Sequence, residues 1–335
     1  MLRRTGEEAR RLGQRALFVC TPSLAGSTHA ARIRESLGGL WVADSSDVAP
    51  HVPLRAVEKA VAQAQRHDVD VVVALGGGSA IGLGKAVAHS RSVPLVAIPT
   101  TYAGSEMTPV LGTTDTTMGQ KRTVTDPRIL PQVAIYDVEA TLELPPAITA
   151  ATGINALAHC VEAVYSTSAS PLVPPVALDA AARIGRALPT CVADRADVVA
   201  RSQMLVAAFL AGFSLAHAGM ALHHGLCHSL GGKLGVPHGV ANAIMLPHVM
   251  WFNAEAAAPA LATVGRAMGI ETDPAGGVSH LVESLGLPQR LRDVGVAEAD
   301  LAGVAADAMH SSAVRANPKP ITDSAQVLAV LRSAW

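Results

Sequence analysis

Between residues 16 and 136 short apolar runs alternate with helical stretches that carry one polar face. The runs Ala16-Leu17-Phe18-Val19-Cys20, Val69 to Leu75, Leu95-Val96-Ala97-Ile98 and Val133-Ala134-Ile135-Tyr136 are continuous, with no polar residue at every second position. A strand covered on both faces has no polar side to show, so this pattern predicts a parallel sheet with helical crossovers. After Leu144-Pro145-Pro146 the strand signals stop, and Ala/Leu/Val patterns of helical period run through 147–166, 177–187 and 198–216. The expected organisation is an α/β N-terminal dinucleotide-binding domain over 1–146 and an all-α domain over 147–335 that holds substrate. With no fixed-period repeat and no low-complexity linker, the two are expected to share a broad cleft.

The turn after the second run reads Gly76-Gly77-Gly78-Ser79 and leads into a predicted helix over 80–88. Glycines at a strand end let backbone approach a ligand closely, and the following helix offers unpaired N–H groups and the positive end of its dipole. The pattern Gly-x-Gly-x-x-Gly breaks at Ile81. A P-loop reading of Gly84-Lys85 fails at Ser79 and Ala86, which disfavours an ATPase. The third run ends in Pro99-Thr100-Thr101-Tyr102-Ala103-Gly104-Ser105-Glu106, a second hydroxyl-rich loop on the same predicted sheet edge. Two adjacent loops of this kind suit a pyrophosphate and its nucleoside.

In the helical half, Asn155 and His159 stand four residues apart, as do His224 and His228, and Pro237-His238 follows. Residues at i and i+4 share a helix face, so two such faces converge polar side chains on one pocket. A single histidine on an apolar helix is ordinarily a hydrogen-bonded core residue. Several together each carry a desolvation cost that Leu would avoid, which points to metal or proton-transfer chemistry.

Composition narrows the classes. Of 335 residues, 50% are hydrophobic and 16% charged, which allows a large buried interior, and a net charge of -1 lacks the basic excess that nucleic-acid binding needs. Cys20, Cys160, Cys191 and Cys227 form no Cys-x-x-Cys pair and read as reduced core thiols. The N-terminus shows no apolar signal region and no unbroken apolar stretch reaches membrane-span length, so a cytoplasmic protein without membrane partners is expected.

Gly-Gly-Gly-Ser at 76–79, Pro-Thr-Thr at 99–101, Ala-Thr-Gly-Ile-Asn-Ala-Leu-Ala-His at 151–159, His-Gly-Leu-Cys-His at 224–228 and Pro-His-Gly at 237–239 resemble the iron-containing alcohol dehydrogenase superfamily. Within it the chain is most similar to the maleylacetate reductase branch, through Asn155 and Asn317-Pro318-Lys319-Pro320. The resemblance implies the dehydroquinate synthase-like fold, a homodimer, and nicotinamide-dependent hydride transfer with NADH or NADPH. It implies that Gly76, Gly77, Gly78 and Ser79 hold the pyrophosphate, that Thr100, Thr101 and Ser105 line the cofactor, and that Lys121 lies near ribose and nicotinamide. Thr21 and Pro22 stand where strictly NAD-dependent members carry an Asp, so a 2′-phosphate is not repelled.

Metal-using members place an Asp and three histidines around Fe or Zn, and those positions are Asn155, His159, His224 and His238 here. With an amide in place of the carboxylate, no required metal is expected. The branch implies reduction of an enone C=C, as in maleylacetate to 3-oxoadipate in aromatic-compound degradation. His228 and His159 are then hydrogen-bond donors, His224 and His238 orient substrate, and Lys121, Arg122 and Lys319 meet its carboxylates. Three features depart from the branch: Gly225 where Lys is usual, Thr125 where Arg is usual, and an alcohol dehydrogenase-like segment over 237–243. The sequence also lacks the N-terminal hairpin typical of the superfamily ahead of the first strand. The alternatives are a close relative acting on another enone, ketone or aldehyde, a metal-dependent alcohol dehydrogenase, a dehydroquinate synthase-like lyase and a nucleotide sensor without catalysis.

Overall fold

The computed structural model describes residues 1–115 and 120–335, with the side chains of 115–122 outside that description. It divides into two compact units, Met1–Glu143 and Leu144–Trp335.

In the first unit the strands are β1 (Ala16–Cys20), β2 (Trp41–Ser45), β3 (Val71–Gly76), β4 (Leu95–Pro99), β5 (Val110–Asp115), β6 (Gln120–Thr125) and β7 (Val133–Ala134). Five of them form a parallel sheet in the order β2-β1-β3-β4-β7. Every residue of β1, β3 and β4 is buried, and alternate side chains enter two different cores. Phe18, Val73 and Ile98 pack with Ile33 and Leu37 on one face; Leu17, Val72 and Leu95 pack with Leu83 and Val87 on the other. The covering helices are α1 (Thr5–Leu12), α2 (Thr28–Leu37), α3 (Leu54–Arg66) and α4 (Gly78–Arg91). Continuous apolar runs are thus the signature of a sheet with both faces hidden.

Three parts of this unit depart from the sequence-based expectation. The edge strand β2 is half-exposed and polar at Asp44 and Ser45, because an edge strand needs no continuous apolar run. β5 and β6 make a separate antiparallel hairpin of Thr-rich sequence, which apolar periodicity does not reveal. The predicted strand over 133–136 pairs with β4 at only two residues. The sheet order reverses between β1 and β3, so their carboxyl ends, Thr21 and Gly76, lie side by side at the switch point where such sheets bind ligands.

The second unit is helical throughout its described elements: α5 (Pro146–Tyr165), α6 (Val173–Ala193), α7 (Val198–Ala218), α8 (Leu222–Leu234), α9 (His238–Phe252), α10 (Ala258–Ala267), α11 (Pro274–Ser284), α12 (Leu301–Ala308), α13 (Ser312–Arg315) and α14 (Ser324–Ser333). Leu226, Leu230, Ile244, Val304 and Leu331 build a core between α8, α9, α12 and α14. α5 and α7 are long and apolar enough to cross a membrane by length and composition alone, but Asn155, His159 and Glu162 interrupt the first and Arg201, Ser202 and Gln203 the second, and α5 is mostly buried inside the fold. The four cysteines are free and buried.

Helix α4 lies close on the sheet because Gly84 has no side chain: a Cβ there would stand 2.9 Å from Ala74 Cβ and 3.2 Å from Leu95 Cδ1. Gly84→Val should therefore lift α4 off β3 and β4 and cost about 2 kcal/mol through overpacking. Urea denaturation measures this; an unchanged midpoint would show that the contact carries no strain.

Candidate active site

Each unit assembles one set of the expected residues. In the first, β3 ends at Gly76, whose φ of +145° is open to glycine and strained for other residues. A Cβ on Gly76 would approach Ala80 Cβ to 2.8 Å and Thr21 Cγ2 to 3.3 Å; one on Gly77 would approach Thr101 Cγ2 to 2.9 Å. The Gly76 carbonyl accepts the N–H of Thr100 at 3.0 Å, which stitches the turn after β3 to the loop after β4. No side chain caps the amino end of α4, so its first N–H groups are left to a ligand or solvent. Thr21, Gly76, Gly77, Gly78, Ser79, Thr100 and Thr101 are thus gathered in one bare-backbone cradle. Such a cradle, with N–H groups and a helix dipole at its floor, fits a pyrophosphate. Pro22 is exposed beside Thr21, and Ser105 opens a short 3-10 turn just past Gly104. The side chains of Lys121 and Arg122 lie outside the described residues.

In the second unit, Asn155 and His159 are buried one turn apart on α5, and buried His224 and half-buried His228 stand one turn apart on α8. His238 is the first residue of α9 rather than part of a loop. Gly239 brings that helix start against α5: a Cβ there would stand 2.9 Å from Ala151 Cβ. The rings of His159 and His224 stack at 4.8 Å, His224 and His238 lie 6.2 Å apart, and His228 and His238 stack at 5.6 Å. The four imidazoles form one group. His223 turns aside, its Nε2 2.7 Å from Asn242 Oδ1.

Lys319 is not brought to this group. Its ammonium lies 4.5 Å from the ring centroid of Phe252, at the opposite end of α9 from His238, about 20 Å away along a helix rising 1.5 Å per residue. The Asn317-Pro318-Lys319-Pro320 segment is fixed there by a reciprocal amide pair, Asn253 Nδ2 to Asn317 Oδ1 at 2.9 Å and Asn317 Nδ2 to Asn253 Oδ1 at 2.7 Å. At Gly225 a Cβ would stand 2.6 Å from Val314 Cγ2, so this chain has no room for the Lys usual at that place.

A residue that the sequence reading missed organises the group. Glu162, buried on α5 one turn after His159, accepts His224 Nδ1 at 2.6 Å, His223 N at 2.9 Å and Ala221 N at 3.0 Å. Its signal was the His159-x-x-Glu162 spacing, which puts both side chains on one helix face. Burial pushes the Glu162 carboxyl up, but His224 beside it more than reverses that and holds it below the usual range. Burial first, and then the neighbouring imidazoles, hold His159 well below the ordinary histidine value. His223 is lowered to about 4 by burial and by His224. His159 and His223 are therefore neutral at pH 7.

One feature of this group matches a metal centre: His224 gives Nδ1 to a carboxylate while its buried Nε2 has no hydrogen-bond partner. Asn155 offers a neutral amide, so a divalent cation here would meet imidazole and amide donors with no anionic ligand beside it.

A doubly wound sheet with a bare-backbone cradle, and a helical unit gathering imidazoles, suit a nicotinamide-dependent oxidoreductase. The chain belongs to the iron-containing alcohol dehydrogenase family: the family's N-terminal model, "Iron-containing alcohol dehydrogenase", matches residues 1–138, and "Fe-containing alcohol dehydrogenase family, C-terminal" matches 149–335. It is 40% identical to maleylacetate reductase 1 of Rhodococcus opacus over 335 residues, 100% of this chain and 92% of that protein. The solved maleylacetate reductase of Agrobacterium tumefaciens superposes with a TM-score of 0.90 at 38% identity, covering 100% of this chain and 93% of the other. A solved 1,3-propanediol oxidoreductase does so with a TM-score of 0.95 at 30% identity, covering 100% and 96%.

The pKa shifts give a signed expectation for stability. Below pH 6.5 unfolded histidines take up protons that folded His223 refuses until about pH 4, so its contribution of about 3 kcal/mol is whole above pH 6.5 and lost across that window. His159 acts in the same sense, and Glu162, with its folded value lowered, adds a further loss once pH falls below the ordinary carboxylate range. Urea midpoints should decline from pH 7 to pH 4.5, and His223→Gln should flatten the decline. A wild-type profile level over that range would contradict the buried neutral histidines.

Proposed function

We propose that the protein is an NAD(P)H-dependent reductase of the C=C bond of maleylacetate, forming 3-oxoadipate in the breakdown of aromatic compounds. The observation that carries this reading is a group of four imidazoles with Asn155 in place of an anionic metal ligand, in a chain that aligns end to end with maleylacetate reductases. Residues 1–146 are assigned to the cofactor, with Gly76, Gly77, Gly78 and Ser79 on the pyrophosphate and Thr21, Pro22, Thr100, Thr101, Ser105 and Lys121 around the nucleoside and nicotinamide. Residues 147–335 are assigned to substrate. When bound there, a reduced nicotinamide would supply the hydride for the enone carbon beta to the ketone.

The chain's own residues then handle one negative charge and one proton. The ketone oxygen becomes an enolate, which needs a donor that strengthens as charge develops. His159, held neutral by burial, donates a hydrogen bond to that oxygen without surrendering its proton. His228, half-buried and reachable by solvent, delivers the proton to the alpha carbon. His224, oriented through Nδ1 by Glu162, and His238 position the substrate with Asn155. Lys121 and Arg122 are the cations we assign to its carboxylates. No metal is required for these steps, and the protein is taken to work as a cytoplasmic homodimer.

The carboxylate-backed His224, with its unpartnered buried Nε2, is the observation that favours a second reading, a metal-dependent alcohol dehydrogenase. Loss of NADH absorbance on adding maleylacetate, before and after chelation, separates the two. Turnover that survives chelation is expected. Activity confined to alcohols or aldehydes, abolished by chelator and restored by Fe or Zn, would establish the second reading.

With Thr21 against the glycine turn, both NADH and NADPH should serve. Thr21→Asp places a carboxylate opposite the 2′-phosphate and should lower kcat/KM for NADPH by about tenfold or more, leaving NADH little changed. An unaltered cofactor preference would refute the assignment of Thr21.

A further inference from the structure

Helix α4 carries a lysine with no exposed surface, Lys85, about two turns beyond Gly78. Taking an ammonium out of water is costly, and a Met of similar length would fill the space without that cost. Burial pushes Lys85 down to about 7, and the Glu106 carboxylate opposes that shift. What distinguishes the site is that all three Nζ protons are used. Lys85 Nζ donates to the Thr108 carbonyl at 2.7 Å, to Thr108 Oγ1 at 3.1 Å and to the Val110 carbonyl at 3.0 Å.

Those acceptors lie at a junction. Thr108 Oγ1 is also 3.4 Å from the carbonyl of Ser105, at the end of the loop that begins with Thr100 and Thr101. Glu106, buried inside the same turn, accepts the phenol of Tyr136 at 2.8 Å, which secures the turn from its other side. Val110 opens β5, the first strand of the hairpin whose second strand carries Lys121 and Arg122. One cation therefore joins the helix whose amino end floors the cradle to the loop that walls it and to the hairpin that follows.

We propose that Lys85 is a positioning residue for the dinucleotide, clamping the Thr100–Ser105 loop and the β5–β6 hairpin to α4 so that both sides of the cradle are set before the cofactor arrives. The proposal rests on the reading of the cradle as the nicotinamide cofactor's site. Preorganisation acts on affinity, because a loop already ordered loses less freedom on binding. Lys85 touches no reacting atom, so its loss should appear in cofactor binding and leave the chemical step at saturating cofactor nearly unaltered.

NADH binding by fluorescence titration tests this with Lys85→Met, Thr108→Val and, as a control, Lys59→Met, which alters an exposed pair with Asp47. The expected result is a Kd for NADH raised about tenfold in Lys85→Met and by a smaller factor in Thr108→Val, with Lys59→Met and the KM for maleylacetate at saturating NADH within about twofold of wild type. A role in fold stability alone would lower the melting temperature and leave the Kd of the folded fraction where it was. If wild-type protein does not bind NADH, the cofactor reading falls and the proposal with it. If wild type binds and folded Lys85→Met binds equally well, the proposal alone is overturned. Should Lys85→Met not fold, an unchanged Kd in Thr108→Val overturns it.

Discussion

One buried carboxylate governs the helical unit. Helix α8 starts after Ala221, which has no side chain able to cap it, and the missing acceptor arrives from α5 as Glu162. Two backbone N–H groups and one imidazole N–H end on that carboxylate. The bonds satisfy donors that the first turn of a helix leaves open, and they set negative charge against the positive end of its dipole. They also fix the rotation of α8 about its own axis. Since His224 and His228 follow within two turns, that rotation decides which way both rings point, and the stacking of His159 on His224 depends on it.

The two units reach their chemistry by opposite means. The cradle works by omission: a side chain on Gly76 would collide with Ala80 and crowd Thr21, and one on Gly77 would collide with Thr101. The histidine group works by accumulation, with rings brought close enough to depress one another's protonation. Lys85 belongs to neither set, yet its bonds reach the loop that completes the first. A buried lysine in one unit and a buried carboxylate in the other, each engaged in three hydrogen bonds, tie together the loops and helices around the cradle and the histidine group.

What could be read from the sequence follows from how local each signal is. β1, β3 and β4 were legible because burial on both faces leaves an unbroken apolar run, whereas β2 and the β5–β6 hairpin escaped because their side chains suit an edge or a half-exposed surface. His159, His224 and His228 were legible as helical spacings, and the glycine turn as a strand-to-helix junction, whereas His238 reads as a loop residue and opens α9 instead. Glu162 escaped because its partners stand about sixty positions along the chain, and its spacing from His159 marks a shared helix face without naming those partners. Lys85 entered only as part of a failed P-loop, since its acceptors are mainly backbone carbonyls, which side-chain patterns do not report. Lys319 misled because a motif shared with relatives carries no information about which end of α9 it docks on.

The amide pair between Asn253 and Asn317 has a chemical consequence of its own. Asparagine ages by attack of the following residue's backbone nitrogen on the side-chain carbonyl, with loss of ammonia. Pro318 follows Asn317 and its ring nitrogen bears no hydrogen, so the five-membered imide cannot close there. The partner, Asn253, has no exposed surface and keeps both amide atoms engaged. The joint that fastens the C-terminal segment to α9 is thereby guarded against deamidation, a slow covalent decay that would otherwise place a negative charge inside the fold.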